Sequence, residues 1–300
     1  MAKKLTEKKI KKLVGIVVVL IAAVIGLFDT LSSDETDIST SNADITNCSA
    51  QVHFVDVGQG DATLVVSKGE AMLVDTGERD ELDTLLNYLK KMNIDSLKYL
   101  VITHPHTDHM GEAGDILKAV STERIIMPKV TGNMTPTNST YKNFLKTLKN
   151  LNKKVTAAKD EILTLGNAKV QFFTTKKEHK NLNNYSVLVK VVDGENSFLI
   201  TGDCEFEEEN EMMAQGFDLD SNVLKVAHHG SYSATSAKFL NYVNPQYAVI
   251  SCAKDNKYGH PHSKTVKRLK SHTKNYYVTA DDGTIIFISD GKGLSIETER

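Results

Sequence analysis

Residues 103–109 constrain this chain most, because they run Thr-His-Pro-His-Thr-Asp-His directly after the apolar stretch Tyr-Leu-Val-Ile. The apolar stretch predicts a strand, and side chains two positions apart in extended backbone point the same way. We therefore expect His104 and His106 to bind one metal ion, and Asp108 and His109, past the corner, to bind a second. Imidazole and carboxylate ligands suit zinc and also admit manganese or iron. The alternative is a polar loop that is rich in histidine by chance.

Other segments carry ligand-type side chains near apolar, β-rich runs. Seven of the ten histidines fall in the segments 104–109, 228–230 and 260–262, and Asp203 follows a fourth apolar run. Loops that follow neighbouring strands converge to form the sites of α/β scaffolds. The sequence thus predicts one metal site at a sheet edge. Asp203 has a second interpretation, as the N-cap of a helix expected over 205–214.

The N-terminus differs from the rest of the chain. Six lysines within residues 1–12 precede an uncharged apolar run over 13–28. As a helix this run would span about 24 Å at ~1.5 Å per residue, somewhat less than the roughly 30 Å hydrocarbon core. Residues 1–30 are therefore expected to be a signal peptide or a signal anchor, and the lack of a cleavage pattern at 29–33 favours the anchor. The lysines would stay inside, leaving the remainder outside the cell membrane as a single-pass or secreted protein.

Composition separates a linker from a folded domain. Residues 31–50 are mostly Ser, Thr, Asp and Asn, which predicts a flexible linker, and residues 51–300 form the expected domain. Residues 1–12 carry a net charge of +5 and the whole chain −2, so residues 13–300 carry −7. An acidic domain lacks the basic surface of a general nucleic-acid binder.

Periodicity predicts two rounds of the same order, a meander followed by strand–helix units. The predicted strands are 52–57, 62–66, 72–74, 99–102, 124–127, 154–156, 161–164, 168–173, 185–192, 197–201, 222–227, 246–251, 275–279 and 284–288. The predicted helices are 81–92, 112–120, 139–150, 205–214, 235–243 and 263–271. This order indicates an α/β protein with a four-layer αββα sandwich, two sheets face to face with helices outside.

Seven short motifs follow one another along the chain in an order that is typical of a known family. They are Phe-Val-Asp-Val-Gly-Gln-Gly-Asp-Ala (54–62), Leu-Val-Asp-Thr-Gly (73–77), His-Pro-His-Thr-Asp-His (104–109), Asn-Tyr-Ser-Val-Leu (184–188), Leu-Ile-Thr-Gly-Asp (199–203), Leu-Lys-Val-Ala-His-His-Gly-Ser (224–231) and Tyr-Gly-His-Pro (258–261). Over about 51–290 the chain resembles metallo-β-lactamase-fold hydrolases, most closely the extracellular hydrolase domain of ComEC-type competence proteins. The multi-spanning channel region of a full competence protein has no counterpart, so we do not expect this chain to be the DNA channel itself.

The resemblance implies a site for two divalent ions, zinc or manganese. The implied ligands are His104, His106, Asp108, His109, Asp203 and His229. Asp203 would bridge both ions, and His228 competes with His229, which is preferred because Gly-Ser follows it. Many relatives place a third histidine for the first metal before the Gly-Asp motif, but residues 184–186 have none. We therefore expect a weaker first site or one completed by water, with His179 a poor substitute.

Further residues have expected roles around this site. Asp75 is expected to hydrogen-bond the metal-binding loop, and Asp61 either to shape a turn or to approach the site. His260 is expected to contact substrate or donate a proton, with a plain surface residue as the alternative, and His262 is a weaker candidate. Together with Asp108 and His228, His260 completes the expected catalytic set.

The predicted activity needs no protein nucleophile, because two metals can activate a water molecule. We expect an exported metal-dependent phosphodiesterase or nuclease that acts on DNA outside the membrane, attached through its N-terminal segment. The alternatives are an esterase, lactonase or β-lactamase acting on a small molecule or wall polymer, or an inactive binding domain. The acidic charge favours small substrates, whereas the family resemblance favours DNA.

Overall fold

The computed structural model describes residues 48–130 and 132–300. The strands in those residues are β1 (Ala50–Phe54), β2 (Thr63–Ser67), β3 (Glu70–Val74), β4 (Ser96–Val101), β5 (Ser121–Met127), β6 (Val155–Ala157), β7 (Ile162–Leu165), β8 (Ala168–Phe173), β9 (Leu188–Asp193), β10 (Asn196–Ile200), β11 (Val223–Lys225), β12 (Tyr247–Ile250), β13 (Asn275–Val278), β14 (Ile285–Ser289) and β15 (Leu294–Thr298). The helices are α1 (Leu82–Lys91), α2 (Thr107–Met110), α3 (Ala113–Ala119), α4 (Ser139–Asn150), α5 (Phe206–Ala214), α6 (Ala237–Val243), α7 (Ser263–His272) and α8 (Thr279–Asp282).

The strands form two mixed sheets. The first has the order β15-β14-β1-β2-β3-β4-β5-β6, and the second has the order β13-β12-β11-β10-β9-β8-β7. In each sheet the meander strands pair antiparallel, and the strands separated by helices pair parallel. The predicted two rounds are therefore present, with one addition. Strands β14 and β15 return to the first sheet, where Phe287 of β14 pairs with Val52 of β1.

Three apolar clusters separate four layers. The central cluster lies between the sheets, where Phe287 packs edge-on against Phe54 and Phe198 at ring distances of 6.0 and 6.1 Å. The second cluster packs the first sheet against α1, α3 and α4, and the third packs the second sheet against α5, α6 and α7. Each sheet contributes to two clusters because successive side chains of a strand point to opposite faces. In β4, Tyr99 faces the central cluster and Leu100 faces the helices. The αββα sandwich predicted from the sequence is confirmed.

Several predicted boundaries are wrong, and they matter near the site. The strand expected over 222–227 ends at Lys225, because His228 and His229 adopt left-handed backbone with φ of +51° and +52°. The strand expected from 185 begins at Leu188, after a 3-10 turn at Leu182–Tyr185. The short helices α2 and α8 and the strand β15 were not predicted.

The expected N-terminal membrane segment, residues 1–30, lies outside the described residues, as does most of the linker. Strand β1 begins at Ala50, the last residue of that linker. Within the part of the chain that the structure describes, no helix is both long and apolar enough to cross a membrane.

Candidate metal centre

The candidate ligands lie in loops that follow the parallel strands of both sheets. His104 and His106 come directly after β4 of the first sheet, and the helical turn α2 then carries the next two candidates. Asp203 follows β10, and His228 and His229 follow β11, both in the second sheet. The predicted convergence of strand-end loops is therefore present, at the seam where the two sheets meet.

A glycine permits this close approach. Gly202 has φ of +49°, and a Cβ added there would lie 2.7 Å from Oγ1 of Thr103 in the β4 loop. The N–H of Val187 donates to the carbonyl of Thr103 at 2.9 Å, and the N–H of His228 donates to that of Gly202 at 3.0 Å. One bond thus joins the β4 loop to the segment before β9, and the other joins the β10 loop to the β11 loop.

A first group of candidate ligands consists of His104, His106 and Asp203, whose ligand atoms all lie within 4.8 Å of one another. Nε2 of His104 lies 3.0 Å from Nδ1 of His106 and 3.6 Å from Oδ2 of Asp203. His104 and Asp203 are buried, whereas His106 is half-buried on the solvent side. This is the pair of histidines that extended backbone was expected to bring together.

A second group consists of Asp108, His109, Asp203 and His229, again within 4.8 Å of one another. Nε2 of His109 lies 3.1 Å from Oδ1 of Asp203, and Nε2 of His229 lies 3.2 Å from Oδ2 of Asp108. Asp203 therefore presents Oδ2 to the first group and Oδ1 to the second. This arrangement suits a carboxylate shared between two cations.

The donors fit divalent ions. Nε2 of His109 and Oδ1 of Asp203 are both buried, and neither has a hydrogen-bond partner among the described residues. Burial lowers the pKa of His229, but Asp203 and Asp61 raise it to about 10, and carboxylates likewise raise the pKa of His109. A centre that attracts protons so strongly also attracts other cations. Imidazole nitrogens with carboxylate oxygens are ligands for zinc and manganese.

Asp75 holds the loop of the first sheet, as predicted. Its carboxylate accepts hydrogen bonds from the N–H and the Oγ1 of Thr103, both at 2.7 Å, and from Nδ1 of His109 at 2.8 Å. Nδ1 of His229 donates to the carbonyl of Ser251 at 3.0 Å. These bonds place the proton of each imidazole on Nδ1 and leave Nε2 free to bind a metal.

Asp61 approaches the site, which resolves its two expected roles. Oδ2 of Asp61 lies 2.7 Å from the ammonium of Lys225, and Oδ1 lies 3.3 Å from Nδ1 of His229. Burial raises the pKa of Asp61, but Lys225 and His229 lower it to about 2. Sequence reasoning missed Lys225. A lysine inside an apolar strand was the available signal, because a fully buried lysine almost always has a partner.

The geometry separates His228 from His229. His228 belongs to neither candidate group, although its Nε2 lies 3.7 Å from Oδ2 of Asp203 and its Nδ1 lies 3.3 Å from Oε1 of Glu205.

The N-cap of α5 is Glu205, so the interpretation of Asp203 as that N-cap is wrong.

The segment without the third histidine contributes a hydroxyl instead. Oγ of Ser186 lies 3.5 Å from Nδ1 of His104 and accepts a hydrogen bond from the N–H of Asp203 at 3.0 Å. His179 is buried against Glu211, with 3.0 Å between Nε2 and Oε2, and belongs to neither group.

A cavity of about 300 Å³ opens onto both groups. The residues that line it are Gln59, His106, Thr107, Asp108, Asn138, Asn183, Asp203, His228, His229, Tyr258 and His260. The ring of His260 stacks on His229 and on Tyr258, with centroid distances of 6.0 and 5.6 Å. Burial and the neighbouring histidines lower the pKa of His260 to about 4, so the ring is neutral near pH 7. The weaker candidate His262 accepts a hydrogen bond at Nδ1 from the N–H of Tyr232.

Comparison with known proteins gives a family match. The sequence model of the metallo-beta-lactamase superfamily matches residues 55–254. The chain is 29% identical over 265 residues to ComE operon protein 3 of Bacillus subtilis, covering 78% of this chain and 32% of that protein. It is 33% identical over 249 residues to Recombination protein 2 of Haemophilus influenzae, covering 78% of this chain and 28% of that protein. The chain thus spans about a third of the length of these relatives.

Among solved structures, the metallo-beta-lactamase fold protein YhfI of Bacillus subtilis superposes with a TM-score of 0.54. That match covers 80% of this chain and 100% of the other, at 14% sequence identity. At this identity the likeness shows a shared fold and nothing further.

Proposed function

The chain belongs to the metallo-beta-lactamase superfamily of metal-dependent hydrolases and is related to ComEC-type competence proteins, and we propose that it hydrolyses phosphodiesters, with DNA as its substrate. The observation that carries this proposal is the position of Asp203. Its two carboxylate oxygens face two separate groups of ligand atoms, at 3.6 Å from His104 and 3.1 Å from His109.

In this proposal the ligands are those of the two groups. His104 and His106 would hold one divalent ion, Asp108, His109 and His229 would hold another, and Asp203 would contribute to both. Ions bound in such a site supply an activated water molecule and stabilise negative charge on phosphoryl oxygens. The protein itself then needs no nucleophile, and its own side chains bind and orient the substrate.

Three groups on the cavity wall suit a phosphodiester. The amide of Asn183 and the imidazoles of His228 and His260 line the cavity, and each can donate a hydrogen bond to a phosphoryl oxygen. Because His260 is neutral near pH 7, of its two expected roles contact with the substrate as a hydrogen-bond donor fits better than donation of a proton. Asp108 would orient the attacking water through its partly buried carboxylate.

The rim of the cavity suits a nucleotide. Tyr258 lines it with 48% of its surface exposed, and the ammonium of Lys257 lies 5.0 Å from the centre of its ring. An exposed aromatic ring beside a cation can stack a base and contact the adjoining phosphate. One matched relative is named Recombination protein 2 and another Competence protein ComA, which supports DNA as the polymer.

A second candidate is hydrolysis of a small molecule by an esterase, lactonase or β-lactamase reaction. The net charge of −7 on residues 13–300 favours it, because long DNA is held mainly by basic surface. An inactive binding domain is less favoured, since such a domain has no need of a complete set of ligand-type side chains.

We also propose that the domain lies outside the cell membrane and is attached to it through residues 1–30. This proposal rests on the lysines of 1–12 and the apolar run 13–28. Protease added to intact cells should digest the domain. A chain protected until the cells are lysed would contradict export, and a product that begins near residue 30 would contradict only the attachment.

The activity is tested with the purified chain loaded with Zn²⁺ or Mn²⁺. We expect metal-dependent cleavage of linear DNA and of bis-p-nitrophenyl phosphate, and a loss of more than about a hundredfold in kcat/KM for Asp108→Ala. The matched control is Asp115→Ala, which removes an exposed carboxylate paired with Lys118. A chain that binds metal fully and leaves both phosphodiesters intact, yet opens lactones or cephalosporins, would establish the second candidate instead.

A further inference from the structure

Lys225 is an unusual residue for its position. It ends β11 with its side chain fully buried, 2.7 Å from Oδ2 of Asp61 and 3.0 Å from the carbonyl of Val226. Removing an ammonium and a carboxylate from water costs free energy that their attraction only partly repays. A buried ion pair is therefore weak evidence for a role in stability, and its surroundings must be considered.

Asp61 lies behind both histidines of the second group. Oδ1 is 3.3 Å from Nδ1 of His229, and Oδ2 is 4.0 Å from Nδ1 of His109. The backbone of Asp61 is fixed as well, since its N–H donates to the carbonyl of Asp108 at 3.1 Å and its own carbonyl accepts from Gly77 at 2.8 Å. The carboxylate therefore keeps a set position relative to the second group.

The balance of charge at the centre depends on this pair. Four carboxylates lie at the centre: those of Asp108 and Asp203 belong to the two groups, and those of Asp61 and Asp75 lie beside His109. Among the described residues, Lys225 is the only lysine or arginine within 4.0 Å of any of them. The charge of Lys225 offsets the carboxylate of Asp61, which belongs to neither of the two groups.

We propose that Asp61 and Lys225 act as a charge pair that sets the affinity of the second group for a divalent ion. Asp61 adds negative charge behind His109 and His229, and Lys225 limits that charge. The inference rests on the metal site of the proposed function but not on its substrate.

The two partners therefore have opposite effects on metal binding. Asp61→Asn leaves the ammonium without its counter-charge, and it repels a divalent ion in the second group. Lys225→Met leaves the carboxylate without its counter-charge, and it attracts the ion. With an effective dielectric constant near 20, either change should alter the dissociation constant by about tenfold or more. The double variant lacks both charges and should return to within about threefold of the unchanged chain.

The experiment is a stepwise titration of the full chain with Zn²⁺ in competition with a chelator. We expect Asp61→Asn to weaken one of two bound equivalents and Lys225→Met to tighten the same one, with the other equivalent changed less. Lys190→Met is the matched control, because Lys190 is also buried and ion-paired, to Asp218 at 3.0 Å, but lies on β9 outside the site. It should leave both equivalents unchanged.

Some variants with an unpaired buried charge will unfold, and the design allows for this. If Lys225→Met cannot be purified, adding it to Asp61→Asn removes the remaining charge and should restore folding and raise affinity. Weaker Zn²⁺ binding in both single variants would mean a purely structural pair and would overturn the inference. So would Lys225→Met if it failed to raise the Zn²⁺ affinity both in the unchanged chain and in Asp61→Asn. Failure of the unchanged chain to bind Zn²⁺ would instead contradict the metal site of the proposed function.

Discussion

Asp203 is the residue on which both candidate metal groups depend. It is 1% exposed, and each of its oxygens faces a different set of imidazoles. Burial raises the pKa of Asp203, but His109, His229 and His104 together hold it well below its usual range. The side chain therefore stays ionised and available as a ligand across the physiological pH range.

Asp203→Ala should weaken both metal ions together. Loss of a residue that only hydrogen-bonds a ligand typically costs about 10–100-fold in affinity, so loss of a shared ligand should cost more than about a hundredfold for each ion. Elemental analysis after dialysis measures this directly. Asp193→Ala is the control, since Asp193 is equally buried but accepts hydrogen bonds from Ser49 and Ser289 instead. Loss of only one equivalent would show that Asp203 binds a single ion.

At the scale of residues, sequence reasoning located side chains that are close along the chain. His104 and His106 were predictable because a strand followed by His-X-His fixes their direction. Their partners in space were harder to predict. The choice between His228 and His229 depends on two consecutive left-handed residues, and the Asp61–Lys225 pair joins positions that are far apart in sequence.

At the scale of elements, the centre depends on how closely the β10 loop approaches the β4 loop. A Cβ at Gly202 would lie 2.7 Å from Oγ1 of Thr103 and 3.0 Å from Oγ of Ser186. Both hydroxyls contact the loops that carry candidate ligands. The seam between the two sheets therefore leaves no space for a side chain at this position.

Gly202→Ala should lower the free energy of unfolding by more than strained backbone alone would explain. An L-residue with left-handed φ costs about 1–2 kcal/mol, and overpacking adds about 1–3 kcal/mol. The control is Gly216→Ala, because Gly216 has φ of +71° but no atom within 4 Å of an added Cβ. Urea unfolding of both variants separates the two costs. Equal losses would show that the two loops can move apart freely.

Elements with a strong periodic pattern were predicted, whereas the four-residue helices α2 and α8 and the strand β15 were not. Helix α4 was expected over 139–150 and is found at Ser139–Asn150, because its apolar positions repeat with helical spacing and Asn138 caps it. Helix α2 has four residues, too few for any period to show. Strand β15 was missed although it alternates, and β14 pairs with β1, a partner some 235 positions away that no local pattern indicates.

At the scale of the whole molecule, the candidate metal site draws its residues from both halves of the sandwich. His104, Asp108 and His109 follow a strand of the first sheet, while Asp203 and His229 follow strands of the second. Binding of a cation to both sets therefore stabilises the packing of one sheet against the other. The motifs predicted that strand-end loops converge, but not that these loops come from two different sheets.

The dependence of stability on pH should reveal a histidine outside the metal site. His53 of β1 is buried against α1, where its Nδ1 lies 2.7 Å from the hydroxyl of Tyr88 and its Nε2 lies 3.1 Å from Oε1 of Gln51. A neutral imidazole satisfies both partners. Burial lowers the pKa of His53 to about 4 in the folded chain, whereas an unfolded histidine titrates near ~6.5.

The unfolded state therefore binds a proton first as the pH falls, and stability is lost between about pH 6.5 and pH 4. The full loss from His53 amounts to about 3 kcal/mol, at roughly 1.4 kcal/mol per pKa unit. Urea unfolding with a chelator present, so that metal release does not contribute, should show a steeper pH dependence for the unchanged chain than for His53→Gln. His272→Gln, at the end of α7, controls for the loss of an imidazole as such and should keep the original slope. Identical slopes for His53→Gln and the unchanged chain would mean that His53 is already protonated in the folded state or exposed to water there.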